Sequence, residues 1–179
     1  MIAPRNSLYL WLTILLALLT ATASPQATAA SPAAPATAPF VVDVVGDYPD
    51  LVVGNGLCAI SGGGCTLRAA IQEANLWPGD DIINFSPAIP TPAVFYLTRA
   101  GTDDNALNGD LDITGANGNL TINGAGAALT VIDGNQAVTN DRVFQIMGGT
   151  VTITGLTVRN GHASNGAGIY VSPGAVLNL

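Results

Sequence analysis

The chain has 179 residues and a formal net charge of −7, because twelve acidic residues face only five basic ones, all of them arginine. Such an acidic, lysine-free chain repels phosphate backbones, so its composition argues against a nucleic-acid partner. With two cysteines and one histidine, the chain also has few residues for a thiolate or imidazole metal site.

Residues 1–23 have the pattern of an export signal. Arg5 precedes an apolar run over residues 8–19, which is shorter than the ~20 residues that a spanning helix needs. The small residues Ala21 and Ala23 predict cleavage after Ala23, so the mature protein is expected to be secreted, extracellular or held at the cell surface. An uncleaved membrane anchor is the alternative.

Residues 24–39 consist of Ala, Pro, Ser and Thr with one Gln and no charged residue. This composition provides little apolar surface to bury and predicts an extended tether. A longer leader is the alternative interpretation. After it, segment 40–45 (FVVDVV) predicts a first strand, and segments 81–85 and 94–97 predict two more.

Residues 58–77 contain both cysteines and the one amphipathic helix of the mature chain. Thr66 is placed to cap the helix N-terminus, and Asn75 lies near its expected end. Arg68, Gln72 and Glu73 lie off the apolar stripe and are expected on a solvated face. The apolar stripe itself is formed by Leu67, Ala70, Ile71 and Ala74.

Cys58 and Cys65 bracket a six-residue segment that contains three glycines. Export into an oxidising compartment favours a disulfide between them, and the glycines allow so short a loop to close. A metal-binding pair is the alternative, but it lacks the second pair of ligands that such a site needs.

Residues 65–70, Cys-Thr-Leu-Arg-Ala-Ala, resemble the motif that gives the CSLREA domain its name. The resemblance extends from about residue 40, through Asp80-Asp81-Ile82-Ile83, into the following repeats. It departs from the motif where Thr66 replaces Ser and Ala69 replaces Glu. The resemblance implies an N-terminal capping region of a secreted bacterial protein that continues as a right-handed parallel β-helix. It implies no catalytic residue.

From residue 110 onward, short β-prone units end in Gly or Asn-Gly, and comparable units return after roughly 22–25 residues. This spacing matches Leu120 with Val143 and Val143 with Gly168. It also matches Leu129 with Val151 and Val151 with Val176. Within each unit aliphatic residues alternate with Thr, which predicts aliphatic side chains inside and Thr outside.

The fold predicted from these patterns is mainly β: a right-handed parallel β-helix over residues 110–179, preceded by a capping region at 40–109. The helix of this region would cover the open end of the first coil, where unpaired strand edges would otherwise invite aggregation. An antiparallel sandwich is the alternative. Residues 174–179 resemble a strand that enters a new coil, which predicts further coils after Leu179 or end-to-end stacking of two chains.

Four residues are catalytic candidates. Asp110 and Asp112 flank Leu111, so on a strand both carboxylates would face outward, ~7 Å apart, where they could bind Ca²⁺ or act as acid and base. A solvated strand edge is the simpler interpretation. Arg142 and Arg159 could serve as bases by analogy with Ca²⁺-dependent lyases. Alternatively, each could be a turn residue without a catalytic role. No metal ligand set can be assigned, so Ca²⁺ remains a weak candidate and no other cofactor is expected.

Two functions are compatible with these observations. The first is a non-enzymatic secreted or cell-surface module for display, adhesion or glycan contact, with a polysaccharide or cell-surface ligand as partner. The second is a polysaccharide lyase or glycoside hydrolase that acts on an acidic polysaccharide. The second function requires a divalent cation such as Ca²⁺ to bridge the like charges of protein and substrate.

Overall fold

The computed structural model describes residues 39–179, which form eleven β-strands and two helices. The helices are α1 (Leu67–Leu76) and α2 (Gln136–Thr139). The strands are β1 (Phe40–Val42), β2 (Asp81–Phe85), β3 (Ala93–Tyr96), β4 (Leu111–Ile113), β5 (Leu120–Asn123), β6 (Thr130–Asp133), β7 (Phe144–Ile146), β8 (Thr150–Thr154), β9 (Thr157–Arg159), β10 (Ile169–Val171) and β11 (Val176–Asn178). The predicted export signal, and the predicted linker apart from Pro39, lie outside the described residues. Within residues 39–179, neither helix has the length and apolar character needed to cross a bilayer.

The fold is mainly β, with three sheets whose strands are all parallel. The strand orders are β1-β2-β5-β8-β11, β4-β7-β10 and β3-β6-β9. Strands β1 and β2 enter the same sheet. From β2 onward, consecutive strands enter different sheets, and the chain returns to each sheet only after it has passed through the other two. Because every pairing is parallel, the antiparallel sandwich is the wrong alternative. The two predicted regions, 40–109 and 110–179, share sheets, since β2 pairs with β5 and β3 with β6.

The spacing between paired strands is unequal, and in every pair except β7 with β10 it is longer than the predicted 22–25 residues. In the five-stranded sheet the paired positions are 39 residues apart between β2 and β5, 31 between β5 and β8, and 26 between β8 and β11. Leu120 pairs with Val151 and not with Val143. The predicted match of Val143 with Gly168 agrees with the pairing of Phe144 with Ile169. The predicted matches of Leu120 with Val143, of Leu129 with Val151 and of Val151 with Val176 are wrong, because the connections between strands differ in length from one turn of the chain to the next.

Alternation within the strands is as predicted. In register-aligned rows, Ile83 stacks on Ile122 and Ile122 on Ile153, all at most 3% exposed. Threonines such as Thr152 occupy the outward positions and are more exposed. The rows bury apolar area continuously across neighbouring strands, which is the main stabilising contribution in a stacked fold.

Helix α1 begins as predicted, and the first strands pack against it. The Thr66 hydroxyl accepts the Ala69 N–H at 3.2 Å and donates to the Tyr48 carbonyl at 2.5 Å. The helix ends at Leu76, one residue beyond the predicted end. Leu67, Ala70 and Ile71 are buried as the apolar stripe requires, and Ala74 packs partly buried against the same core.

The prediction of a solvated polar face on α1 is wrong. Arg68, Gln72 and Glu73 are 1%, 4% and 0% exposed, respectively. Their side chains satisfy backbone groups of loops that wrap around the helix: Glu73 accepts the N–H groups of Gly54 and Gly56, and Gln72 accepts the N–H of Asp50. A polar residue on a helix can thus be buried when a neighbouring loop needs its hydrogen bonds.

Arg68 connects α1 to the loop that precedes β4. Its guanidinium pairs with Asp47 at 2.5 Å and donates to the carbonyl oxygens of Ala106, Gly109 and Asp110 at 2.9, 2.8 and 3.1 Å. A buried charge is tolerated because it is paired and fully hydrogen-bonded.

Asn75 occupies the place of a missing strand beside β4, which is the edge strand of its sheet. Its amide donates to the Asp112 carbonyl at 2.8 Å and accepts the Thr114 N–H at 2.9 Å. These are backbone groups that a neighbouring strand would otherwise pair. Through the Asn75 side chain, helix α1 therefore provides hydrogen-bond partners for two backbone groups at the exposed edge of the sheet.

The predicted disulfide between Cys58 and Cys65 is confirmed, with Cα atoms 5.3 Å apart. Its loop lies at the start of α1, where the Cys65 N–H donates to an Asp43 carboxylate oxygen at 2.7 Å. The disulfide therefore joins the loop before α1 to the residue that precedes its N-cap.

Candidate functional site

Three of the four catalytic candidates lie together. Strand β4 pairs with β7 so that Leu111 faces Phe144 across the ladder. Asp110 directly precedes Leu111, and Arg142 lies two residues before Phe144. The Arg142 Nη1 atom lies 3.6 Å from the Asp110 Oδ2 atom. We call Asp110, Asp112, Arg142, Gln145 and Tyr170 the Arg142 cluster.

The interpretation of Asp110 and Asp112 as a solvated strand edge is wrong, since these residues are 2% and 0% exposed. The loop before β4 folds over them, and the Ala106 N–H donates to Asp112 Oδ2 at 2.9 Å. Asp110 Oδ2 and Asp112 Oδ1 are buried without a hydrogen-bond partner among the described residues. Such atoms are uncommon in folded proteins and mark a position that merits a functional explanation.

Burial is the main cause of the altered acidity of both carboxyls. It raises the pKa of Asp110 to about 7, helped by the negative charges of Asp112 and Asp141 and opposed by Arg142. It raises the pKa of Asp112 to about 6, opposed by the Ala106 N–H. Raised pKa values beside a charged partner are characteristic of functional sites, so both carboxyls are candidates for a functional role.

The outward positions beside these carboxyls form a row across three strands. Asp112 aligns with Gln145, and Gln145 aligns with Tyr170 on the next strand. The Arg142 guanidinium lies over the Tyr170 ring, 5.1 Å from its centroid, and donates to the Gln145 amide oxygen. The row therefore combines an aromatic face, an amide and a cation on one sheet surface.

No metal site can be assigned in the Arg142 cluster. No group of three or more His, Cys, Asp or Glu side chains within residues 39–179 is arranged to hold a metal ion.

Arg159, the fourth candidate, lies on a different sheet. Its Nε atom donates to Asp133 at 2.8 Å, and Asp133 is 2% exposed. His162 is exposed, and its backbone N–H donates to the Asp141 carbonyl. The four candidates therefore divide into one group of three and one residue in a second polar cleft.

An apolar groove of about 430 Å³ runs along α1. Its lining includes Val53, Leu76 and Leu107, and the polar residues Gln72 and Asn75 in its wall already bond to backbone groups. The lining of this groove contains no ionisable side chain.

Sequence reasoning did not find Gln145 or Tyr170. Both lie on outward positions of strands, and their neighbours are set by the register between strands. The correct register would have placed Arg142 beside Asp110, and Tyr170 one strand further along the same face.

Comparisons with protein-family models, curated proteins and solved structures found no match for this chain. The likeness of residues 65–70 to the CSLREA motif therefore stays a prediction. The function has to be argued from the chain's own geometry.

Proposed function

We propose that the chain is a secreted or cell-surface module, a right-handed parallel β-helix with a CSLREA-like N-terminal cap, that contacts a glycan without cleaving it. The β-helix is supported by three sheets of parallel strands that the chain visits in turn. Export is supported by the leader-like residues 1–23 and is compatible with the Cys58–Cys65 disulfide.

The observation that carries glycan contact is the alignment of Gln145 with Tyr170 on the sheet surface, with Arg142 over the Tyr170 ring; Asp112, in the same row, is buried beneath the loop before β4. A tyrosine face provides apolar contact area with a polar tip, and amide and guanidinium groups hydrogen-bond to sugar hydroxyls. Successive strands repeat outward positions about 4.8 Å apart, so the surface suits an extended polymer.

Binding to immobilised cellulose, xylan, mannan, chitin and pectate tests this function. We expect the full chain to bind at least one polysaccharide, and the Tyr170→Ala and Arg142→Gln variants to bind it about tenfold more weakly. The matched control is Arg99→Gln, because Arg99 bonds within its own loop to Leu107 and Asn108. Absence of binding to every polymer, or equal binding by all variants, would contradict the proposal.

A polysaccharide lyase or glycoside hydrolase is the second candidate function. It is favoured by one observation, the buried Asp110 with a pKa of about 7 at 3.6 Å from Arg142. Incubation with pectate, alginate or chondroitin sulfate, with and without Ca²⁺, separates the two functions. Ultraviolet absorbance of unsaturated uronides or release of reducing ends, lost in Asp110→Asn, would establish the enzyme; on the first proposal neither signal develops.

A further inference from the structure

A second polar cleft lies on the sheet formed by β3, β6 and β9. Tyr96, Asp133 and Arg159 align in register across these three strands. Together with Asn135 and Gln136 they line an open cleft of about 340 Å³. None of these residues belongs to the Arg142 cluster.

Asp133 is the buried anchor of this cleft. It accepts the Asn135 N–H at 2.9 Å, the Arg159 Nε–H at 2.8 Å and the Asn160 amide at 2.9 Å. Burial on its own raises the pKa of Asp133, but these hydrogen bonds and the charge of Arg159 outweigh it and lower the pKa below its usual value. The carboxylate therefore stays ionised at neutral pH and fixes the Arg159 guanidinium.

The remaining groups of the cleft are available to a ligand. The Arg159 side chain is 45% exposed, and its two terminal nitrogens make no hydrogen bond to residues 39–179. Tyr96 is 49% exposed, so its ring offers a flat apolar surface beside these donors. The exposed amide of Gln136 adds a further donor and acceptor.

We infer that this cleft binds an uncharged saccharide, with one sugar ring against Tyr96 and its hydroxyls bonded to Arg159 and Gln136. An uncharged ligand is favoured because Asp133 already balances the charge of Arg159, and because the chain carries a net charge of −7 that repels polyanions. Few polar groups that converge beside an apolar surface are typical of small-ligand sites. The inference does not depend on the Arg142 cluster.

Isothermal titration of the full chain with cellohexaose, xylohexaose, mannohexaose and laminarihexaose tests the inference, with hexagalacturonate as the charged comparison. We expect at least one uncharged hexaose to bind, and both Tyr96→Ala and Arg159→Gln to weaken its binding about tenfold or more. The matched control is Tyr48→Ala, because Tyr48 is 58% exposed and lies outside the cleft. Thermal melts of each variant separate loss of binding from loss of folding.

The inference is overturned if no uncharged hexaose binds, if hexagalacturonate binds more tightly than all of them, or if folded Tyr96→Ala and Arg159→Gln proteins bind like the parent. Loss of binding in Tyr170→Ala but not in Tyr96→Ala would support the Arg142 cluster alone. The reverse pattern would support the cleft and contradict the proposed site on the other sheet.

Discussion

The two ends of the stacked strands differ in how their core is covered. At the α1 end, Ile71 and Leu67 are at most 2% exposed, and helix side chains pair with the backbone of β4. At the other end of the described stack, Val158 and Ile169 are half-buried and line an open recess of about 390 Å³. An apolar side chain that buries less of its area contributes less to stability.

The largest effect should come from Arg68 at the covered end. Arg68→Met leaves the buried Asp47 carboxylate without its cation and three carbonyl groups without a donor, so we expect the free energy of unfolding to fall by about 3–5 kcal/mol. Urea denaturation measures this. The control Arg99→Met, at a half-buried arginine within one loop, should cost about 1 kcal/mol or less. An equal decrease in the free energy of unfolding for both variants would mean that Arg68 does not hold α1 in place.

Two leucines in one row test the effect of position directly. Leu120 and Leu177 both align with Val151, but Leu120 is 4% exposed and Leu177 is only partly buried. We expect Leu120→Ala to lower the free energy of unfolding by about 3 kcal/mol and Leu177→Ala by about 1 kcal/mol. The same denaturation experiment checks both values, and a larger loss for Leu177→Ala would reverse the comparison.

The buried carboxyls predict how stability depends on pH. Between pH 4 and 7 folded Asp110 holds a proton that the unfolded chain releases, because its pKa rises from 3.8 to about 7 on burial. The folded state thus binds more protons, and stability should fall as pH rises across this window. Asp112 and Asp81, each with a pKa of about 6, act in the same direction.

Melting temperatures from pH 4 to 7 should therefore decrease in the parent and decrease less steeply in Asp110→Asn. The groups that face Asp110 are Asp112, Asp141 and Arg142, and all three remain in that variant. Stability that rises with pH in the parent, or an unchanged slope in Asp110→Asn, would contradict the assignment.

The smallest effect concerns the start of α1. Thr66→Ala removes the N-cap and should cost about 1 kcal/mol, whereas Thr66→Ser keeps the hydroxyl and should cost only a few tenths. Equal melting temperatures for the two variants would contradict the role of the hydroxyl.

Local patterns predicted the local elements well. The alternation of Leu120 and Ile122 indicated which side chains face the core, and the position of Thr66 indicated the start of α1. The spacing and glycines of the two cysteines indicated their disulfide. Each of these features depends on residues that are close together in the chain.

Features that depend on distant loops could not be predicted. The register between strands depends on connections of unequal length, which the predicted spacing of 22–25 residues between equivalent units does not capture. The predicted match of Leu120 with Val143 would have placed Arg142 beside Asn119 and not beside Asp110. The burial of Asp112 depends on the loop around Ala106, and no periodic pattern in the sequence predicts how that loop folds. For the same reason the polar residues of α1 were expected in solvent.

Helix α1 replaces a missing strand at the edge of β4. Hydrogen exchange at the Thr114 amide tests it most directly, because that N–H donates to the Asn75 side chain, whereas the Met147 N–H donates to a backbone carbonyl, that of Ile113. We predict a protected Thr114 amide in the parent and much faster exchange in Asn75→Ala, with Met147 unchanged. An unprotected Thr114 amide in the parent, or the same exchange rate in both proteins, would contradict the claim.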